Sequence, residues 1–181
     1  MDREQEVMNI MEGLVIAKDK HVGEVMAARG HWTAGQSARV NAGKVLKKLA
    51  ELGKIERVNG HFRTPGCRSE FKEHSQLLTE TLTDLMKIYE AKILREVWVE
   101  KIGLRADAVC LLKKGNRGYA FILEVLNKET PDQVNRNKKR VWDQWPDAKD
   151  FLSRLLGHKI PWFDFIVLSQ GESILSKIGG E

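Results

Sequence analysis

The chain of 181 residues is long enough for one medium domain or two small ones, and its 42% hydrophobic and 30% charged residues are typical of a globular protein. No stretch approaches the roughly 18 apolar residues of a membrane span, and the first residues are acidic, so we expect neither a membrane anchor nor a signal peptide. The cysteines, Cys67 and Cys110, lie far apart, which argues against a zinc site or disulfide framework and favours a reducing cytoplasm.

The net charge of +5 is spread unevenly. Residues 1–28 carry three basic and six acidic side chains, whereas residues 29–63 carry eight basic and two acidic ones. This local excess of six positive charges, eight minus two, favours a surface that faces a polyanion. A solvated lysine face would show the same excess.

Apolar residues recur at helical spacing over 3–17, and a second, shorter helix is predicted over 22–28. A third helix is predicted over 35–52. One of its faces is apolar, and the opposite face carries Ser37, Asn41, Lys44 and Lys48.

The dipeptide Asn59-Gly60 lies between two short alternating segments, which is the strongest local signal for a two-residue β-hairpin. Helix, helix, turn, helix and basic hairpin is the order of a winged helix-turn-helix domain, which we place at residues 1–66. Double-stranded DNA is the expected ligand, because a helix fits the major groove and side chains near its N-terminus reach base edges. The expected DNA-binding residues are Ser37, Arg39, Asn41, Lys44 and Lys48 on the helix, with Arg57, His61 and Arg63 on the hairpin. A winged helix that contacts only protein is the alternative.

A second domain is expected over 70–181. Its predicted elements are a helix over 70–92, strands over 96–100, 106–112 and 119–126, helices over 131–145 and 147–156, a strand over 163–168 and a helix over 173–178. This order matches the restriction-endonuclease-like, PD-(D/E)XK fold, a mixed sheet with helices. The whole chain is therefore expected to be of the α+β or α/β class.

Asp107 and Glu124 are the candidate catalytic and metal-binding residues of that domain. If the hairpin between their strands is centred between Gly115 and Asn116, opposed residue numbers sum to 231, as 107 and 124 do. Two carboxylates so opposed can chelate Mg²⁺. A nuclease of this fold wants a lysine two residues after the glutamate, where this chain has Leu126, and Lys128 has the right parity but follows the predicted strand. The alternative is an acid pair that forms a salt bridge with the following helix.

A second basic patch lies on the predicted helix after the third strand of this domain. Such a patch tracks a phosphate backbone in some proteins and is a solvated surface in others. Its members are Arg136, Lys138, Lys139 and Arg140.

The segments HSQLLTETLTDLM and RADAVCLLKKGNRGYAFILEVLNKET, after a winged helix, resemble the replication-relaxation family of plasmid- and phage-borne proteins. By this resemblance His74, Asp107 and Glu124 fall on the family's recurrent polar positions, whereas Ala106 and Leu126 stand where the family often has proline and aspartate. The resemblance implies a DNA-binding role in plasmid or phage replication or its control, on a nuclease-derived scaffold. Because Leu126 replaces the lysine that hydrolysis needs, we expect the nuclease-like domain to be non-catalytic and to hold no cofactor, or Mg²⁺ if its site is active. A Mg²⁺-dependent endonuclease or nickase targeted by the winged helix, and a protein-interaction adaptor, are the alternatives. A homodimer is compatible with each.

Overall fold

The computed structural model describes residues 2–67, 72–99, 103–126, 131–145, 147–160 and 163–178. The protein is of the mixed α+β class and divides into two compact units, Met1–Tyr89 (unit 1) and Glu90–Glu181 (unit 2). Among the described helices, none has the length and apolar character needed to span a membrane.

Unit 1 is a helical unit with a small sheet. Its elements are α1 (Arg3–Leu14), β1 (Ile16–Ala17), α2 (Asp19–Ala28), α3 (Gln36–Glu51), β2 (Glu56–Val58), β3 (His61–Arg63) and α4 (Glu73–Ile88). The predicted hairpin is confirmed: β2 and β3 pair antiparallel, and Asn59 and Gly60 both have positive φ, which suits a two-residue turn. Strand β1 was not predicted, because two residues are too few to show a period. It pairs with β3 and gives the sheet order β1-β3-β2.

The core of unit 1 is formed by the apolar faces of its four helices. The periodicity of α3 predicts an apolar face of Ala38, Ala42, Val45, Leu49 and Leu52, bordered by Leu46. Ala38, Ala42, Leu46 and Leu49 are buried, whereas Leu52, at the end of the helix, is 57% exposed. Helices α2 and α3 touch at Gly23, where a Cβ atom would lie 3.0 Å from backbone atoms of Ala38 and Arg39. Their separation is therefore set by direct backbone contact.

Helix α4 belongs to unit 1, not to the second domain in which residues 70–92 were expected. It packs against α1, α2 and β1, and the Thr79 hydroxyl donates a hydrogen bond to the Ile16 carbonyl at 3.0 Å. The Arg29 guanidinium likewise donates to the Met86 carbonyl. The boundary between the units therefore falls after Tyr89 and not near residue 66. The sequence could not show this, because the apolar stripe of a helix does not reveal which part of the chain it packs against.

Unit 2 contains a four-stranded mixed sheet. Its elements are β4 (Glu90–Val99), β5 (Leu104–Lys114), β6 (Arg117–Val125), α5 (Pro131–Val134), a π-helical stretch (Asn135–Lys139), α6 (Arg140–Gln144), α7 (Ala148–Leu156), β7 (Asp164–Leu168) and α8 (Ile174–Lys177). The sheet order is β4-β5-β6-β7; the first three strands are antiparallel, and β7 runs parallel to β6. Strand β4 begins at Glu90, where the end of a helix was predicted.

The β5–β6 register assumed from the sequence is confirmed. Lys114 pairs with Arg117 and Ala108 with Leu123, so opposed residue numbers sum to 231. One face of the sheet packs on the helices between β6 and β7, where the buried cluster includes Val97, Val109, Ile122, Trp142, Trp145, Leu152 and Leu156. Both cysteines are free thiols, and burial raises the pKa of the Cys110 thiol.

Candidate nucleic-acid interface and acidic pair

The solvent-facing side of α3 is the most distinctive surface of unit 1. It carries polar, apolar and cationic side chains within four turns of helix: Gln36, Ser37, Val40, Lys44 and Lys47. Val40 lies at the centre of this surface and is 45% exposed. This position is unusual, because a β-branched residue such as valine has a low helix propensity and gains little from packing when it is exposed. Lys44 and Lys47 form no ion pair with any residue that the structure describes. We call these five residues the α3 face.

The predicted DNA-binding residues of α3 fall in different environments. Ser37 and Lys44 lie on the α3 face, and the Ser37 hydroxyl donates to the Thr33 carbonyl at 2.9 Å. Arg39 lies at its edge, where Nε donates to both carboxylate oxygens of Asp19 at 3.2 and 3.3 Å. Asn41 is half-buried.

Lys48 is held away from the α3 face by an ion pair with Glu4 of α1. The hydrogen bond that Lys48 donates to the Glu4 carboxylate raises the pKa of Lys48, so the side chain is a cation already neutralised by a partner. Sequence reasoning selected Lys48 and missed Lys47, along with Gln36 and Val40. Steps of three and four residues from Lys44 are equally helical, and only the position of α1 decides between them.

The β2–β3 hairpin supplies one further exposed cation. Arg57 is exposed and makes no ion pair in the described part of the chain. The other two predicted residues have local partners. Arg63 Nε donates to Glu56 Oε2 at 2.6 Å, and the His61 ring lies 3.3 Å from the Val58 carbonyl. Of the predicted DNA-binding cations, those without an acidic partner among the described residues are therefore Lys44 on α3 and Arg57 on the hairpin.

Asp107 and Glu124 lie at the next opposed position of the confirmed β5–β6 register, each with a nitrogen donor on one oxygen. The backbone N–H of Val125 donates to Asp107 Oδ2 at 2.8 Å. Glu124 is 2% exposed, and Lys138 Nζ donates to its Oε2 at 2.7 Å. This is the salt bridge to the following helix that was the alternative to a metal site.

The residues around this acidic pair do not fit a Mg²⁺ ion as they stand. The Lys138 ammonium takes the place beside Glu124 that a cation would need, and the described residues contain no cluster of three or more His, Cys, Asp or Glu side chains able to hold a metal. Leu126 is buried, with its N–H bonded to the Leu168 carbonyl. Lys128 lies outside the described residues, and His74 lies on α4 in unit 1.

The second basic patch is not a single cationic face. Lys138 turns to the sheet, and Lys139 pairs with Asp143 at 2.5 Å. Arg136 Nε donates to the Asp132 carbonyl at 3.1 Å, which leaves Arg140 exposed. A continuous track for a phosphate backbone is therefore not formed by these four residues.

Comparisons of the chain with protein-family models, with curated proteins and with solved structures find no match.

Proposed function

We propose that the protein binds double-stranded DNA through unit 1 and acts in the replication of a plasmid or phage, or in its control. The order α1-β1-α2-α3-β2-β3 and the sheet order β1-β3-β2 support a winged helix-turn-helix domain. The observation that carries the proposal is the α3 face, with two lysines that lack acidic partners among the described residues.

The chemistry of this surface suits a DNA groove. Lys44 and Lys47 are placed to neutralise phosphates, which supply most of the salt-dependent affinity for DNA. Gln36 and Ser37 offer hydrogen bonds to base edges near the N-terminus of α3, and Val40 offers an apolar contact of the kind that reads a thymine methyl group. Arg57 brings the hairpin to the neighbouring backbone.

Unit 2 acts, on this proposal, as a non-catalytic domain of PD-(D/E)XK type. Its mixed sheet, with β7 parallel to β6 after a helical connection, supports that architecture. The Lys138–Glu124 ion pair supports loss of metal chemistry, because it neutralises a carboxylate on which such a site would depend.

Removing one unpaired cation from α3 tests the DNA proposal. We expect Lys44→Gln to weaken binding to a fluorescent duplex and to lower the slope of log affinity against log salt by about 0.9, the contribution of one phosphate contact. Fluorescence anisotropy over a salt series measures both quantities. Lys149→Gln is the matched control, since Lys149 is an exposed lysine on α7. An unchanged slope in Lys44→Gln, or no duplex binding by the wild-type protein at low salt, contradicts the proposal.

A second arm of the experiment tests the enzyme alternative. Supercoiled plasmid incubated with the protein and Mg²⁺ or Mn²⁺ is expected to stay intact. Nicking by the wild-type protein that disappears in Asp107→Ala would overturn the non-catalytic assignment of unit 2.

A further inference from the structure

Strand β7 is an open edge of the sheet in unit 2. It pairs with β6 on one side, and within the described ranges no strand lies on its other side. The Leu168 carbonyl accepts a hydrogen bond from the Leu126 N–H, so the backbone groups of Leu168 are directed to β6. Because this direction alternates along a strand, the N–H and C=O groups of Phe165 and Val167 are directed away from the sheet. On that outer side, neither residue has a hydrogen-bond partner among the residues that the structure describes.

A groove of about 540 Å³ runs along this edge. Residues 164–167 of β7 all line it, whereas β6 contributes only the alternate residues Tyr119 and Phe121. A groove that touches both faces of β7 but one face of β6 lies beside β7 and not above the middle of the sheet. Its other wall is formed by Lys177 and Ile178 at the end of α8. The outer backbone of β7 is therefore accessible to another extended chain.

The two edges of the sheet differ in their protection against such a chain. On β4, Glu96 has a positive φ and is left out of the register with β5, and Lys92 and Arg95 add charge to the strand. Charges and irregularities of this kind prevent edge-to-edge association in natural sheets. The pairing of β7 with β6 is continuous, and its central residues 165–167 are Phe, Ile and Val. Strand β7 therefore has the unprotected, apolar character of a strand that pairs.

An antiparallel copy of β7 fits this edge. If a two-fold axis passes beside Ile166, Phe165 lies opposite Val167 of the second copy, and the two Ile166 side chains meet. Phe165 and Val167 then exchange both of their backbone hydrogen bonds, as in the hydrogen-bonded pair of an antiparallel ladder, and the symmetry repeats this pair. An aromatic and a β-branched side chain opposite each other also stabilise such a ladder.

The ends of the strand favour this register. Asp164 lies opposite Leu168 of the second copy, whereas a parallel, in-register pairing would place the two Asp164 carboxylates side by side, where they repel. A shift toward the C-terminus would need the backbone of Ser169. That backbone is already used, because its N–H donates to Glu172 Oε2 at 2.8 Å and its carbonyl accepts from the Glu172 N–H. The register centred on Ile166 pairs both outward residues of β7 with each other.

We propose that two copies of the protein associate by antiparallel pairing of their β7 edges, which joins the two sheets into one. The edge selects a second copy because it is complementary to itself in backbone donors and acceptors, in apolar side chains and in charge. A contact built on a strand of five residues is small, so we expect a reversible dimer with a dissociation constant on the order of 10 μM. The inference goes beyond the proposed function, because it concerns unit 2 and requires no DNA.

Sedimentation equilibrium of the full-length protein without DNA tests the proposal. We expect the mass to rise with concentration from that of a monomer to that of a dimer. Val167→Pro removes an outward N–H and leaves the bonds to β6 in place, so it should raise the dissociation constant at least about tenfold through the loss of two hydrogen bonds per dimer. Val167→Thr is the matched control, since it keeps the N–H and the β-branched shape, and it should associate as the wild-type protein does.

A charge at the two-fold axis tests the register. Ile166→Lys and Ile166→Glu each place like charges opposite each other, so each variant alone should stay monomeric, whereas their equimolar mixture should form a dimer. Circular dichroism verifies that both variants are folded. A wild-type protein that is monomeric at millimolar concentration, unchanged association of Val167→Pro, or a folded pair of Ile166 variants that stays monomeric when mixed overturns the proposal. Duplex binding by the same samples reports separately on unit 1.

Discussion

His21 is a titratable side chain inside the core of unit 1. It is 2% exposed, and its Nδ1 accepts a hydrogen bond from the backbone N–H of Lys18 at the start of α2. Burial, reinforced by the nearby Lys20 ammonium, lowers the pKa of His21 from 6.5 to about 4. The neutral ring is therefore part of the folded state, because a protonated Nδ1 could no longer accept this hydrogen bond.

The lowered pKa predicts a loss of stability in acid. Since the unfolded chain binds the proton more tightly than the folded one, the contribution of neutral His21 is fully present above pH 6.5 and is lost as the pH falls toward 4. We expect the wild-type protein to lose about 2 kcal/mol more unfolding free energy than His21→Gln between about pH 7 and about pH 4.5. Urea unfolding of both proteins at the two pH values measures this difference, from which the shared titration of carboxylates cancels. Identical pH dependence in the two proteins would contradict the assignment.

Single residues show where prediction from the sequence stops. Ser37 and Lys44 could be placed on the outer side of a helix by periodicity alone. The partners of Arg39 and Lys48 could not be foreseen, because Asp19 and Glu4 lie 20 and 44 residues away along the chain. Whether a cation is available to a ligand depends on such long-range pairs, and these form only in the fold.

Among the elements, the π-helical stretch after β6 has an unusual ion pair with the sheet. Lys138 reaches the buried Glu124, whereas the neighbouring Lys139 pairs with exposed Asp143 on its own helix. Two adjacent lysines therefore make ion pairs of different strength. An exposed pair contributes little to stability, but removal of one partner of a buried pair leaves a charge without compensation.

We expect Lys138→Met to lower the free energy of unfolding by about 3 kcal/mol, and Lys139→Met to lower it by less than about 1 kcal/mol. The double variant Glu124→Gln/Lys138→Met should recover part of the loss, because the buried charge is then gone as well. Guanidinium unfolding curves for the four proteins measure these terms. Equal losses in Lys138→Met and Lys139→Met would show that the buried pair has no special weight.

The elements also differ in how well they can be predicted from the sequence. The β5–β6 register followed from the position of Gly115 and Asn116 in the turn, since two antiparallel strands joined by a tight turn have few alignments. The ion pair between Lys138 and Glu124 could be anticipated from the sequence only as one alternative. Which helix residue packs over the sheet is decided by the tertiary structure. The first residues of β4 are predicted as the end of a helix for the same reason. Their extended conformation depends on pairing with β5, which the sequence does not reveal.

At the scale of the whole molecule, the boundary between the units determines which part of the chain folds alone. Helix α4 completes unit 1, so a fragment of residues 1–89 is expected to unfold cooperatively and, on the proposed function, to bind duplex DNA with the affinity of the full chain. A fragment of residues 1–66 should not fold cooperatively, because it lacks the packing of Leu78, Leu82 and Leu85 and the bond from Thr79 to Ile16. Circular dichroism during thermal unfolding distinguishes the two fragments. A shorter fragment that melts as sharply as the longer one would move the boundary back to about residue 66, where the sequence predicts it.

The contact between α2 and α3 separates two tasks within unit 1. Gly23 determines the position of α3 through its close contact with the backbone of Ala38. The α3 face lies on the other side of the helix, and its exposed side chains do not pack in the core. If the α3 face binds DNA as proposed, substitutions there alter the preferred site without a penalty in folding, whereas any side chain at position 23 would press on the backbone of α3. On the proposed function, unit 1 is a scaffold whose target can diverge quickly between mobile elements while its architecture stays the same.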